Sequence, residues 1–363
     1  MSAAALGEGV APGFRGYELL ARPRDAGFAR PALRWKQAGG GAVECILCPN
    51  ACVLSKGERG VCRARENRGG ALHTLVYGRI AAAHVDPVEK KPLFHFLPGS
   101  RAFSVATAGC NLSCKFCQNW EISQSKPEDV DAEWMPPGDL AEKAARSGSA
   151  MIAFTYNEPT VQYEYIMDAS LAARARGIRS AIISNGYINP AAGLELASRL
   201  DAVKIDLKAF TDKFYRDVCG GSLAAVLRNL EAVRKSGKWL EIVVLVIPTL
   251  NDSPGEIREM SRWVSRNLSP DVPVHFTRFH AMYLIRNLPP TPVATLERCR
   301  EIARAEGVRY PYVGNVPGHR WENTFCHRCA REVISRSGFF HVESSLKRGT
   351  CPHCGALIPG VWT

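Results

Sequence analysis

Three cysteines lie close together in one short stretch, GCNLSCKFCQNWEIS at residues 109–123. They are Cys110, Cys114 and Cys117, and the aromatic Phe116 stands just before the last of them. A disulfide cannot use three thiols, and a four-thiolate site would want a fourth cysteine nearby, whereas none follows before Cys219. Three thiolates in one loop suit a cubane iron–sulfur cluster that keeps one iron free for a non-protein ligand.

Two further cysteine groups flank this loop. The front group comprises Cys45, Cys48, Cys52 and Cys62. Four thiolates can close either a zinc site or a second [4Fe–4S] cluster, so the metal of this group stays unassigned. The C-terminal group comprises Cys326, Cys329, Cys351 and Cys354. Its two C-x2-C pairs are typical of a zinc ribbon and favour structural zinc over a single iron or an auxiliary cluster. Cys219 and Cys299 stand alone and are interpreted as small buried hydrophobic residues.

The sequence also indicates the cellular environment of its thirteen cysteines. No apolar run approaches the roughly 20 residues that span a bilayer, and the N-terminus lacks the pattern of a secretory signal. We therefore expect a cytoplasmic protein without membrane contact, in which clustered cysteines bind metal rather than form disulfides. The net charge of +11 is compatible with nucleic acid or with docking of an acidic electron donor, and does not decide between them.

The chain divides by pattern into four parts. We predict a flexible lead-in over residues 1–35, a cysteine-rich segment over 36–100, an alternating strand and helix domain over 101–320 and a zinc-ribbon-like module over 321–363. The seven strand candidates of the third part are AFSVATAG, SAMIAFTY, IRSAIIS, LDAVKIDL, WLEIVVLVIP, VPVHFTRF and VRYPYV. Helical stretches such as 159–176 and 222–236 lie between them. This alternation predicts an α/β fold with parallel strands, as a partial or full β/α barrel, with a doubly wound sheet as the competing topology.

Polar residues follow the predicted strands where such folds bind ligands. TAGC follows the first strand, NEPT the second, SNG the third, DLK the fourth and RFH the penultimate one. Because the carboxyl ends of parallel strands share one rim, these residues are expected to line a common site.

The cysteine loop and these stations resemble the radical S-adenosylmethionine (SAM) superfamily. CKFCQNW, YNEP, SNG, KIDLK and RFH resemble the corresponding stretches of glycyl-radical-enzyme activating proteins such as the pyruvate formate-lyase activating enzymes. The run from Cys45 to Gln124, including DPVEKKPLFHFLPG, is similar to the radical SAM member of the AmmeMemoRadiSam group. We found no generic structural reason for that run, which makes the resemblance specific. It covers the chain from about residue 31 to its end.

The resemblance implies a role for each matching residue. Cys110, Cys114 and Cys117 would hold a [4Fe–4S] cluster whose free iron takes the methionine moiety of SAM, and Phe116 would lie against the adenine. Asn157 and Glu158 match the positions that contact the SAM amino group, where a carboxylate suits an ammonium. Ser184 and Asn185 match contacts to the SAM carboxylate, Asp206 and Lys208 a pair near the ribose and carboxylate, and His280 a histidine beside the adenosine. For the last three, a buried ion pair and a strand-end histidine are the structural alternative.

The resemblance also implies the chemistry. One electron from the reduced cluster cleaves SAM to methionine and a 5′-deoxyadenosyl radical. The radical abstracts a hydrogen atom from a substrate. The sequence does not identify this substrate, which is expected to be a peptide, a protein or a small molecule. A flavodoxin- or ferredoxin-type donor is expected, and Memo-like and AMMECR1-like proteins are candidate partners. A glycyl-radical-enzyme activating protein is the alternative within this chemistry. A zinc-ribbon nucleic-acid-binding protein is the alternative outside it, but it does not account for the three loop cysteines, YNEP or DLK.

Overall fold

The computed structural model describes residues 28–363. Most of the predicted lead-in, residues 1–27, therefore lies outside the described residues. Residues 28–35 contain a short strand, Arg30–Pro31, and the first residue of the next strand, Trp35–Gly39. The remaining chain contains one large sheet, six long helices and three small antiparallel sheets, together with a two-stranded ribbon.

The large sheet has eight strands in an order that follows the chain. They are β1 (Ala82–Pro87), β2 (Arg101–Ala106), β3 (Met151–Phe154), β4 (Arg179–Ser184), β5 (Ala202–Asp206), β6 (Trp239–Val246), β7 (Val274–Arg278) and β8 (Pro311–Gly314). Strands β2–β8 are parallel, and β1 pairs antiparallel with β2. All seven predicted strands are confirmed as β2–β8. The antiparallel β1 was not predicted.

A helix follows each of the parallel strands β2–β7. These helices are α1 (Pro137–Arg146), α2 (Tyr163–Arg174), α3 (Pro190–Arg199), α4 (Leu223–Lys235), α5 (Pro254–Trp263) and α6 (Val293–Ala305). Shorter helical turns cover Val88–Lys90, Trp120–Ser123, Pro127–Asp129, Pro159–Gln162, Asp212–Phe214, Tyr215–Cys219, Val264–Leu268 and Arg320–Glu322. Because the strand order never reverses, the winding is that of a barrel and not of a doubly wound sheet. Within residues 28–363, β1 and β8 do not pair, so the barrel is partial.

Small antiparallel sheets precede and follow the barrel. The front segment contributes Trp35–Gly39, Ala42–Cys45 and Val53–Leu54 to one sheet, and Arg30–Pro31, Arg65–Arg68 and Ala71–Thr74 to another. Arg79–Ile80 pairs with Glu133–Trp134. The C-terminal module contributes Thr324–Phe325, Glu332–Ser337 and His341–Ser344 to the third sheet. Short strands with many intervening turns are what cysteine-rich metal modules use to bring distant thiols together.

One face of the barrel sheet packs against the helices and the other is closed at one end by residues 88–97, here called the plug. Val88, Leu93, Phe96 and Leu97 of the plug are buried against Ala102, Met151, Ala153, Ala181 and Ala202 of the strands. The small alanine side chains leave room for the large ones of the plug. Since the plug connects β1 to the start of β2, it closes the amino end of the parallel strands. The DPVEKKPLFHFLPG run thus has a structural explanation that its sequence alone did not reveal.

The C-terminal module packs against the plug at the amino end of the parallel strands. Arg336 donates from Nη2 to the carbonyl oxygen of Phe94 at 2.7 Å and lies beside the Glu89 carboxylate, its Nε 3.7 Å from Oε1. Val361 forms a bridge with Phe96 and donates its N–H to the carbonyl oxygen of His95 at 2.7 Å. The module is therefore part of the closed end of the barrel and not a separate appendage.

Candidate functional site

The three-cysteine loop follows β2 directly and sits at the carboxyl rim of the barrel. Its backbone is fixed by a neighbouring turn, because the N–H of Ser113 donates to the Cys219 carbonyl at 2.8 Å and that of Lys115 to the Val218 carbonyl at 3.0 Å. Gly109, at a φ of +94°, opens the loop. A side chain there would clash with the Cys62 carbonyl oxygen, 2.4 Å from the position of a Cβ. Glycine is thus required for the loop to approach the front segment.

The three thiols fit the ligands of an iron–sulfur cluster. Cys114 is buried, whereas Cys110 and Cys117 are half-buried. The Cys110 sulfur accepts the Leu112 N–H at 3.5 Å and the Asn185 side-chain amide at 3.8 Å. N–H donors to the ligating sulfurs are one of the ways in which proteins tune such clusters. Burial, together with the Glu158 carboxylate, raises the pKa of the Cys110 thiol well above its usual value.

Cys219 lies against the loop, which the sequence did not reveal. It is buried as expected, but its thiol hydrogen-bonds to Cys114. That bond, assisted by the Lys208 ammonium, lowers the pKa of the Cys114 thiol in spite of burial. Burial raises the pKa of Cys219 itself. Cys219 lies more than a hundred residues after the loop cysteines and belongs to no motif. Only the fold brings it to the site.

The fourth parallel strand supplies an ion cluster beside the loop. The Asp206 carboxylate pairs with Lys204 and, at 3.4 Å, with Lys208. Burial alone would raise the pKa of Asp206, but the two ammonium groups lower it. The Lys208 ammonium also stands 5.6 Å from the centroid of the Phe116 ring. The structure therefore brings Phe116, Asp206 and Lys208 together next to Cys114, as the predicted common rim requires.

Glu158 accepts four hydrogen bonds from donors of its own chain. Its Oε1 accepts the Thr160 N–H at 2.9 Å, the Thr160 hydroxyl at 2.7 Å and the Ser184 hydroxyl at 2.7 Å. Its Oε2 accepts the Asn185 N–H at 2.7 Å. Three of the four donors thus reach Oε1, whereas Oε2 receives one and keeps an acceptor site. Glu158 ties the end of β3 to the end of β4, and most of its hydrogen-bonding capacity serves this connection.

Asn157 presents the opposite situation. Its side-chain amide donates to the Gly109 carbonyl at 2.8 Å and, more weakly, to the Thr107 hydroxyl at 3.4 Å. Its Oδ1 is buried and accepts no hydrogen bond from the described residues. A buried acceptor left unpaired costs about 1–3 kcal/mol. The residue next to Gly109 and the cysteine loop therefore has a free acceptor, which fits a bound ammonium donor.

Ser184 and Asn185 belong to the same network, whereas His280 does not. The Ser184 hydroxyl donates to Glu158, and the Asn185 side-chain amide also donates to Asn111 Oδ1 at 2.9 Å. His280 follows β7 at the carboxyl rim but is exposed. Of the residues predicted at the rim, His280 is thus the one that the structure leaves open to solvent.

The two flanking cysteine groups differ in how closely their sulfurs meet. Within residues 28–363, the C-terminal group is the one set of three or more candidate ligands whose sulfurs all lie within 4.8 Å of one another. Cys326 and Cys354 are 3.5 Å apart, and Cys329 and Cys351 are 3.7 Å apart. Cys45, Cys48, Cys52 and Cys62 instead line a shared cavity. All thirteen cysteines lie in the described part of the chain, where each is a free thiol.

Comparison with known proteins identifies the family. Residues 104–263 match the model of the radical SAM superfamily. An uncharacterized protein of Methanocaldococcus jannaschii is 40% identical over 335 residues, covering 91% of this chain and 98% of that protein. The chain belongs to the radical SAM superfamily. A pyruvate formate-lyase-activating enzyme of Clostridium pasteurianum is 28% identical over 190 residues, covering 51% of this radical SAM enzyme and 77% of that protein.

Part of this radical SAM enzyme is also similar to a solved structure. The SuiB protein of Streptococcus suis bound to S-adenosylmethionine aligns with a TM-score of 0.47 at 16% identity, covering 66% of this chain and 56% of that one. The superfamily implies a [4Fe–4S] cluster and SAM, and the thiols and free acceptor described above fit both. Among residues 28–363, no helix combines the length and apolar composition that crossing a membrane requires.

Proposed function

We propose that this radical SAM enzyme cleaves SAM reductively at a cluster held by Cys110, Cys114 and Cys117 and then abstracts a hydrogen atom from its substrate. The observation that carries the proposal is the position of these thiols. They lie on one loop at the carboxyl end of the first parallel strand, inside the region that matches the superfamily. When bound, the cluster and SAM supply a 5′-deoxyadenosyl radical, and the chain supplies orientation and a water-poor site.

The chain's own groups would share the binding of SAM. Asn157 Oδ1, free and buried, would accept the ammonium group, while Glu158 would hold the loop in place. Asn185 and Ser184 stand beside Cys110 and Glu158, where the SAM carboxylate is expected. Phe116, Asp206 and Lys208 would contact the adenosine side, and His280 could join them there from its exposed position. These roles follow from the family resemblance and from the neighbourhood of each residue.

The substrate is proposed to be a peptide, a protein or a small molecule. The relative from Clostridium pasteurianum is named as an activating enzyme for pyruvate formate-lyase, which supports the alternative of a glycyl-radical-enzyme activating protein. The Cys45–Gln124 run favours instead a modifying enzyme that acts with Memo-like and AMMECR1-like partners. Radical SAM activating enzymes work with electron donors, and the net charge of +11 suits an acidic flavodoxin or ferredoxin. We propose that all of this takes place in the cytoplasm, where free thiols persist.

We propose zinc for the C-terminal cysteines. Four thiolates at about 2.3 Å from a zinc ion stand about 3.8 Å from one another in a tetrahedron. The sulfur separations of 3.5 and 3.7 Å match this geometry. Because the module closes the barrel, the zinc would stabilise the catalytic domain without touching SAM.

The experiment uses anaerobically purified protein with a chemical reductant and SAM, and measures 5′-deoxyadenosine by mass spectrometry. Alanine at Cys110, Cys114 or Cys117 should abolish the product, because each loses one cluster ligand. The matched control is Cys299→Ala, a buried cysteine of α6. It should keep producing 5′-deoxyadenosine. Product formation by any of the three loop variants would contradict the proposal.

A further inference from the structure

The front cysteines surround a cavity. Cys45, Cys48, Cys52 and Cys62 line one pocket together. The wall of this pocket also includes Asn111 of the cysteine loop and Thr160, which donates to Glu158. Four thiols that line one pocket are a candidate metal site by their chemistry.

The separation of the sulfurs distinguishes a cluster from a single ion. Around one zinc ion, four thiolates touch one another, as the C-terminal group does. A cubane has an iron at each of four corners, and each thiolate stands outside its own corner. The ligating sulfurs must then be farther apart and enclose a volume. Among residues 28–363 the front sulfurs do not come together as closely as the C-terminal ones, and they line a pocket instead.

The wall of the cavity suits sulfur ligands of negative charge. The Val61 N–H donates to the Cys52 sulfur at 3.5 Å, and Arg65 Nη1 donates to the Cys45 sulfur at 3.7 Å. Arg65 is buried and also pairs with Glu164. Gly60 has its position for a Cβ 3.6 and 3.7 Å from the Cys52 and Cys62 sulfurs. N–H donors and a buried cation next to the ligating sulfurs stabilise an anionic thiolate-bound cluster.

A wall at Gly109 separates the front cavity from the cysteine loop. The Cys62 carbonyl packs against Gly109, the neighbour of Cys110. The Asn50 side-chain amide donates to the Asn111 carbonyl at 2.8 Å. On the outer side, Val61 is 56% exposed, so the cavity lies between the surface and the cysteine loop.

We propose that Cys45, Cys48, Cys52 and Cys62 hold a second [4Fe–4S] cluster that exchanges electrons with the cluster at Cys110, Cys114 and Cys117. A low-potential donor protein would lose one electron to the second cluster, which would pass one electron across the Gly109 wall and return to its oxidised state. The cluster of the loop is thereby reduced by one electron. The second cluster is independent of the proposed function, whereas the exchange of electrons rests on it.

Metal and sulfide analysis of the full-length protein tests the second cluster. After anaerobic reconstitution with iron and sulfide, we expect about eight iron atoms and one zinc per chain. Cys48→Ala and Cys52→Ser should each lose about four iron atoms and keep the zinc. Cys299→Ala is the matched control and should lose none. About four iron and two zinc in the wild type would overturn the proposal, and this measurement needs no variant to fold.

Electron paramagnetic resonance of the reduced protein tests the contact between the clusters. Two half-integer spins on neighbouring clusters should broaden each other's signals. The wild-type spectrum should therefore differ from the sum of the spectra of Cys48→Ala and Cys110→Ala. Cys110→Ala should lose only the loop cluster, and if it keeps all its iron the proposed function fails while the second cluster stands. If the wild-type spectrum equals the sum, the electron exchange is refuted.

Discussion

Replacing Glu158 by glutamine tests whether this carboxylate serves the fold or the cofactor. The substitution keeps the shape of the side chain but removes its charge and turns one acceptor into an NH2 donor. Oε1 receives three donors and Oε2 one, so the glutamine oxygen would best occupy the Oε1 position. The new NH2 group would then face the Asn185 N–H, a donor that cannot rotate away.

The expected loss of stability can be worked from these contacts. The hydrogen bond from Asn185 to a charged acceptor, at 2.7 Å, is worth about 1.5–3 kcal/mol, and a buried donor left unpaired adds about 1–3 kcal/mol. Relaxation of the loop recovers part of this, so we expect a loss of about 2–4 kcal/mol. For a chain of this length, roughly 2 °C per kcal/mol gives a decrease of about 4–8 °C in Tm.

The assay compares thermal unfolding with SAM affinity in the same preparations. Glu158→Gln should lower Tm as stated, with only an indirect effect on SAM binding. Asn157→Ala should raise the Kd of SAM by about tenfold or more, because it removes the free acceptor. Glu259→Gln, at an exposed carboxylate, is the control for Tm. An unchanged Tm together with a tenfold weaker SAM affinity in Glu158→Gln would refute this reasoning and restore Glu158 as the ammonium ligand.

Two further predictions concern the closed end of the barrel. Arg336→Met should lower the free energy of unfolding by about 3–5 kcal/mol, because it leaves the buried Glu89 carboxylate without its charged partner. Arg176→Met, at an exposed site, should not lower it. Stability in denaturant that does not distinguish the two would contradict the assignment. His95 is buried, which lowers its pKa from 6.5 to about 4, so the unfolded state binds its proton first as the pH falls below 6.5. Stability should therefore drop by about 2 kcal/mol between pH 7 and 5 through this residue. His95→Asn should remove that part of the pH dependence, whereas His341→Asn at an exposed site should leave it intact.

The parallel strands could be predicted from the sequence because each is a continuous apolar run between turn signals. The antiparallel β1 could not, since AAHVDP is neither apolar throughout nor regularly alternating. Its place is fixed by pairing with β2 and by the plug that follows it. The C-terminal thiols could also be predicted, because the spacing of C-x2-C pairs reports directly on the metal geometry.

The contacts between residues at the rim were harder to predict than which residues lie there. The polar residues after the strands predicted a common rim, and the structure places Asn157, Asp206 and Lys208 at one end of the barrel. The prediction could not show that Glu158 accepts four hydrogen bonds while Asn157 Oδ1 accepts none, because that depends on where the N–H groups of Thr160 and Asn185 point. The contact between Cys219 and Cys114 likewise depends on the path of the helical turn before Gly220, which no spacing in the sequence encodes.

The attachment of the last residues of the chain to the plug has a consequence for biosynthesis. His95 contacts the Pro359 carbonyl, and Arg336 donates to the Phe94 carbonyl. The plug therefore packs against residues that lie more than 240 positions later in the chain. Contacts this distant in sequence form late and slowly. During synthesis, the plug and the strands that it covers therefore lack the contacts of Arg336 and Pro359 until those residues have been made.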